Sequence, residues 1–171
     1  MRDLLRAIVH ACVISLLIPL YAAAEEFGLP EGEVVLTVSG EIEKTNVDDT
    51  AQFDMDMLMA LESEIIETST IWTEGVLTFE GVPLHVLIDH LGVSEGVLRA
   101  SAINDYTIEI PVEDAVIGGP MVAYKLNDAL MSVRDKGPLW IVYPYDDSDD
   151  YRSEVIYSRS IWQLDRIEFV R

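Results

Sequence analysis

The sequence predicts a single α+β domain, built from mixed sheets with short interleaved helices. Two observations carry this. Short β-rich runs recur along the chain, divided by turn dipeptides such as Asn104-Asp105 and Asn127-Asp128. Only one stretch, Pro83 to Leu91, carries a clear helical stripe, and no repeat, low-complexity tract or linker separates the runs. At 171 residues the chain is long enough to bury a core of its own.

The first two dozen residues stand apart. Arg2 and Arg6 precede an apolar run from Ala7 to Leu20, and Tyr21-Ala-Ala-Ala24 follows with the small residues a signal peptidase reads. The run is shorter than the roughly 20 apolar residues a spanning helix needs. The expectation is a secretory signal peptide over 1–24, cut near Ala24, and a periplasmic domain over 25–171. Cys12, the only cysteine, lies inside that run, so the expected mature chain has neither a disulfide nor a thiolate metal ligand. The formal net charge is −20, and losing Arg2, Asp3 and Arg6 would make the remainder slightly more acidic. Such a charge opposes nucleic-acid phosphates and anionic membrane surfaces.

Glu25 to Glu33, with Gly28, Pro30 and Gly32, reads as a loosely ordered lead. Val34 to Ile42 is a strand in which Gly40 marks a bulge or a close approach. A turn at Thr45 to Thr50 follows. Phe53 to Leu61 alternates at first and then takes helical spacing, so a short helix is expected over Asp54 to Leu61. Its methionines read as core filling. Ile65 to Thr70 is a β-branched strand. Pro83 to Leu91 is a helix with Pro83 at N1, an apolar stripe of Leu84, Leu87, Ile88 and Leu91, and Gly92 just past its end. His85 and His90 fall on different faces and form no metal pair, so each is expected to be solvated or locally bonded.

Leu98 to Ile103 and Tyr106 to Ile110 make a hairpin, Val112 to Ile117 one helical turn, and Met121 to Lys125 a strand. Leu139 to Tyr143 is a fully buried strand that places Trp140 in the core. Tyr145 to Glu154 is a hydrophilic loop; its aspartates at 146, 147, 149 and 150 are either a solvated loop or a calcium site without EF-hand spacing. Ser158 to Leu164 is expected as a polar-aromatic turn or helix, and Asp165 to Val170 as a closing strand.

The stretch from Glu67 to Leu84 organises the rest. It gives a strand, a polar turn carrying Trp72, a second strand and the start of the helix. Phe79-Glu-Gly-Val-Pro-Leu84, Asn104-Asp-Tyr-Thr-Ile-Glu-Ile-Pro111 and Gly137-Pro-Leu-Trp-Ile-Val-Tyr-Pro144 together resemble segments of the sulfite-oxidase-like, molybdopterin-binding fold. In enzymes of that family a cysteine just before the first segment ligates molybdenum, and here Thr68 or Ser69 takes its place. Trp140 replaces an arginine of the third segment. Ser158 to Trp162 stands near the place of the family's phosphate-gripping segment. Thr70-Ile-Trp-Thr73 with Gly75, and Ser132 to Trp140, are similar to the small exported pterin-binding members.

The resemblance implies a non-catalytic, periplasmic pterin binder acting with a membrane-bound signalling enzyme of the cyclic-di-GMP class. A molybdopterin-dependent oxidoreductase is the alternative. A pterin needs an aromatic face and a fork of donors and acceptors for its edge. The candidate residues are Thr68 and Ser69 at the thiolate position, Trp72 and Trp162 as walls, Glu74 and Asp135 as acceptors, and Arg134, Lys136 and Arg159 as donors. Each has a structural counterpart: Trp72 packing on Phe79, Arg134-Asp135-Lys136 as a solvated charged turn, Arg159 in a salt bridge. No catalytic or metal-ligating residue is expected.

Overall fold

Alternation along the chain is realised as a single curled sheet of ten strands. The computed structural model describes residues 27–171, so the expected signal peptide and Cys12 lie outside the described residues. The strands are β1 (Val34–Gly40), β2 (Ala51–Asp54), β3 (Glu64–Ser69), β4 (Val76–Pro83), β5 (Val97–Ala102), β6 (Thr107–Pro111), β7 (Met121–Leu126), β8 (Ala129–Leu130), β9 (Leu139–Val142) and β10 (Ile161–Val170). Among the described residues three short α-helices are interleaved: α1 (Met55–Ala60), α2 (Leu84–Leu91) and α3 (Glu154–Ser158). The sheet runs β2-β1-β10-β9-β7-β4-β3, with β5 on β10, β6 on β5 and β8 on β7. β1 and β10 pair in parallel; the other pairs are antiparallel.

Leu36 and Val38 of β1 are fully buried while Thr37 and Ser39 are only half-buried, as period-two patterning requires. Gly40 has φ +87, and a Cβ there would collide with the Phe169 carbonyl, so the expected close approach is real. Gly81 in the Phe79–Leu84 segment likewise presses its Cα side onto the Val122 carbonyl, at a bulge in the β4–β7 pairing. That contact explains why the segment needs glycine there.

Asp54 closes the start of α1. Its Oδ1 accepts from the Met57 amide at 2.9 Å. Its Oδ2 accepts from the Glu31 and Gly32 amides, each at 2.8 Å, so the lead expected to be loose is tied down at 31–32. These amide donors, Met57 first and then Gly32, hold its carboxyl below the usual carboxylate range. Asp54→Ala is therefore expected to lower the melting temperature by several degrees at neutral pH. The sign with pH is set by the depressed pKa. The contribution is full above the unfolded value near ~4 and is lost as pH falls through the folded one, so wild type and variant converge in acid. Thermal melts across that range check it.

α2 starts one residue later than expected. Pro83 ends β4 in extended conformation with ψ 138, and the helix begins at Leu84. The predicted stripe of Leu84, Leu87, Ile88 and Leu91 is buried, and Gly92 ends the helix with φ +74. His90 packs its ring against Phe27 at 5.1 Å, and His85, half-buried, keeps its Nδ1 out of solvent.

The largest correction concerns Ser158 to Leu164. α3 ends at Ser158, and residues 161–164 open the long strand β10. Two irregularities in its pairings fall at Gln163, between the partners of Trp162 and Leu164 on β9, and at Asp165, between those of Leu164 and Arg166 on β5. Trp140 is fully buried as expected. Among the described residues no helix is long and apolar enough to cross a membrane.

Candidate functional site

Four separate pieces of chain meet at an aromatic cleft. The β3–β4 turn brings Trp72. The loop between β5 and β6 brings Asn104 and Tyr106. α3 ends with Tyr157 and Ser158, and the start of β10 brings Ile161, Trp162 and Gln163. With Ala102 and Ser160 they line a cleft of about 350 Å³. That size suits a small heterocycle.

Trp72 is held by its neighbours' edges rather than by Phe79. Its ring centroid lies 5.6 Å from Trp162, 5.9 Å from Tyr157, 6.1 Å from Tyr145 and 6.2 Å from Trp140, all steeply inclined. The turn is braced by a Thr70–Thr73 hydroxyl pair at 2.7 Å and by the Trp72 amide donating to Thr70 Oγ1 at 3.1 Å. Beneath the cleft, the buried Tyr145 and Ser160 hydroxyls share a hydrogen bond.

Burial pushes the Tyr145 phenol up to about 12. Burial, then the Asp114 charge, pushes Tyr143 up as well. Both phenols are therefore expected to stay silent in an ultraviolet titration of the folded protein through pH ~10, where unfolded tyrosines ionise. Because the folded pKa is raised, their stabilisation is full below ~10 and lost as pH rises beyond it. A falling melting temperature together with a late, cooperative phenolate signal is the result to look for.

Two of the nine expected site residues, Trp72 and Trp162, line the cleft. Lys136 is a third neighbour without being part of the lining. Its Nζ stands 4.3 Å from the Trp162 ring centroid and 5.7 Å from that of Trp140. Its carbonyl accepts from the Gln163 amide at 2.9 Å, and Gln163 Nε2 donates to the Val133 carbonyl at 2.8 Å. The Ser132–Gly137 turn is thus clipped to the start of β10.

The other six lie outside the lining. Arg134 and Asp135 sit on the exposed face of that turn, where Asp135 accepts from Ser132 Oγ at 2.7 Å. Glu74 is exposed at the tip of the Trp72 turn. Arg159 donates twice to Asp114, at 2.7 and 3.0 Å, the salt bridge that competed with its donor role. Thr68 is fully buried and its hydroxyl accepts from the Asp146 amide at 3.1 Å. Ser69 donates to the Asp146 carboxylate from its amide at 2.6 Å and its hydroxyl at 2.8 Å. Asp146 also accepts from Arg152 at 2.9 Å. The acidic loop is therefore fastened by Ser69 and Arg152, and among the described residues no group of three or more His, Cys, Asp or Glu is arranged to hold a metal ion.

Tyr157, Tyr106 and Asn104 were not singled out from sequence. Tyr106 did carry a signal: a large aromatic directly after the turn dipeptide Asn104-Asp105.

No protein-family model matches the chain, and no curated protein matches it. A solved structure does: the sulfane dehydrogenase SoxCD from Paracoccus pantotrophus, at 17% identity and a TM-score of 0.55. The match covers 78% of this chain and 37% of that one, so the chain spans well under half the length of the enzyme it matches. At this identity the likeness shows the fold. It bears out the α+β class read from the sequence and fits the sulfite-oxidase-like resemblance at the level of overall architecture.

Proposed function

We propose that this protein binds a small pterin in the aromatic cleft, without molybdenum, and acts as a periplasmic ligand-sensing regulator of a membrane-bound signalling enzyme. The observation that carries the binding step is the cleft itself. Trp72, Tyr106, Tyr157 and Trp162 surround a space of about 350 Å³. Asn104 adds an amide at its mouth, and the Lys136 cation lies over the Trp162 ring. Aromatic walls with a few polar groups at the rim match a flat bicycle with a hydrogen-bonding edge. The periplasmic location rests on the signal peptide read in residues 1–24, and the signalling partner on the resemblance alone.

A molybdopterin-dependent oxidoreductase is the second reading, favoured by the likeness to sulfane dehydrogenase. The residues do not fit a molybdenum centre at the family's position. The Thr68 and Ser69 hydroxyls that stand there are hard donors, and both are already engaged by Asp146.

The test is mass spectrometry of the small molecule released when protein purified from its exported form is denatured. A simple pterin lacking dithiolene and metal supports the binding module. A metal-bearing molybdopterin overturns it. If nothing is released, fluorescence titration with added pterins decides, and failure of all of them to bind overturns the reading.

A further inference from the structure

We propose that the outer edge of β3 is a docking strip for an extended, basic segment of a partner protein. β3 ends the sheet and pairs with β4 on one side only. In an antiparallel strand the amide and carbonyl of one residue face the same side, and neighbours alternate. The Ser69 amide turns away from β4 to reach Asp146. By that alternation the backbone groups of Ile65 and Glu67 also face outward, a ready template for one more strand.

Beside this edge lies a trough of about 490 Å³ lined by Ile65, Ile66, Gly118, Pro144 and three acids, Glu64, Glu67 and Asp147. The three acids are exposed, and none forms an ion pair among the described residues. Ile65 is 63% exposed between them. β3 pairs with β4 in unbroken register and carries neither lysine nor proline, so of the usual protections of a sheet edge it has only its two glutamates and the Asp146 loop at its Ser69 end. Charge selects the occupant. A second copy would bring Glu64 and Glu67 against their own kind on two chains of net charge −20. A strand presenting Lys or Arg beside an apolar side chain meets the carboxylates and Ile65 together. The inference does not depend on what the cleft holds.

The probe is a blocked peptide, Thr-Lys-Val-Lys-Ile-Arg-Thr, with a counterpart carrying Glu for every Lys and Arg. Both are titrated against the exported protein with no pterin added, so this test and the pterin test fail independently. The basic peptide is expected to bind, more weakly as salt rises, and to slow amide exchange at Ile65 and Glu67 in NMR spectra. Glu64→Lys with Glu67→Lys is expected to weaken it by about tenfold or more. Ile65→Pro removes an outward amide that an edge strand can spare, and should abolish binding with the fold retained by circular dichroism. If that variant unfolds, the charge-reversed pair carries the test. Equal binding of both peptides, binding of neither, or retained affinity in the charge-reversed pair overturns the proposal. Protection of Ile65 and Glu67 that grows with protein concentration alone, with a dimer in sedimentation, overturns it in favour of a second copy.

Discussion

Trp72→Ala is expected to lower affinity for the proposed pterin by about 30-fold or more and to cost about 2–4 kcal/mol of stability. The two losses have different sources. Trp72 lines the cleft and offers a bound ring a wall. It also makes edge contacts with Trp140, Tyr145, Tyr157 and Trp162, so its removal opens a gap inside an aromatic cluster. The stability figure sits below that for a fully buried tryptophan because Trp72 is only half-buried. A variant that loses both properties cannot assign the cleft by itself. Tyr106 can. It lines the same cleft but is 58% exposed and packs little. Tyr106→Ala is expected to weaken binding by about tenfold while stability changes by less than about 0.5 kcal/mol. Fluorescence titration paired with urea unfolding of both variants reads the difference. Unchanged affinity in Tyr106→Ala with a Trp72→Ala loss confined to stability would make the aromatic cluster structural.

Asp114→Ala is expected to destabilise the fold by about 2–4 kcal/mol without touching the cleft lining. Asp114 ends the 3-10 turn Val112–Asp114 and accepts from Arg159 twice and from the Tyr143 hydroxyl at 2.8 Å. One carboxylate thus joins the ends of β6, β9 and α3. The ion pair is partly covered, with side-chain exposures of 24% for Arg159 and 17% for Asp114, and Tyr143 is fully buried. Removing the acceptor strands a buried hydroxyl and a desolvated guanidinium, a larger loss than that of an exposed pair. Asp114→Asn keeps an acceptor for Tyr143 and should recover part of the loss. It also removes the charge that helps raise the Tyr143 phenol, so that phenol should titrate earlier than in wild type. Urea midpoints at unchanged slope, with ultraviolet titration, check both arms.

Most of the sheet was legible because period-two alternation is a local property. β1, β5 and β6 show it, whereas β9 was read from a continuous apolar run that put Trp140 in the core. β10 was legible only from Asp165 to Val170, read as the closing strand; its first half was read as a turn or helix. Its buried residues Ile161, Leu164 and Ile167 recur every third position, the spacing of a helix, because Gln163 and Asp165 are extra residues in its pairings. Gln163 takes φ +54, which nothing in its neighbours announces. The site divides the same way. Trp72 and Trp162 were visible as large aromatics in polar surroundings. Tyr157, Tyr106 and Asn104 join them only through the pairing of β10 with β5, and sequence spacing does not reveal that pairing. Arg159 found Asp114 across forty-five positions of chain. Charge composition said a partner was plentiful but could not say which.

β10 carries a consequence for the order in which the molecule is made. It comes last of the ten strands, yet β1, β5 and β9 all pair with it. A ribosome delivers β1 first, and for most of synthesis that strand lacks its parallel neighbour. The half-made chain can form local hairpins such as β3–β4 and β5–β6, but not the sheet that joins them. Closure waits for residues 161–170 and then spans nearly the whole chain, a high-contact-order step expected on the slow, millisecond-to-second scale. A nascent protein that cannot finish its sheet early stays loose for longer, which is compatible with the export proposed above.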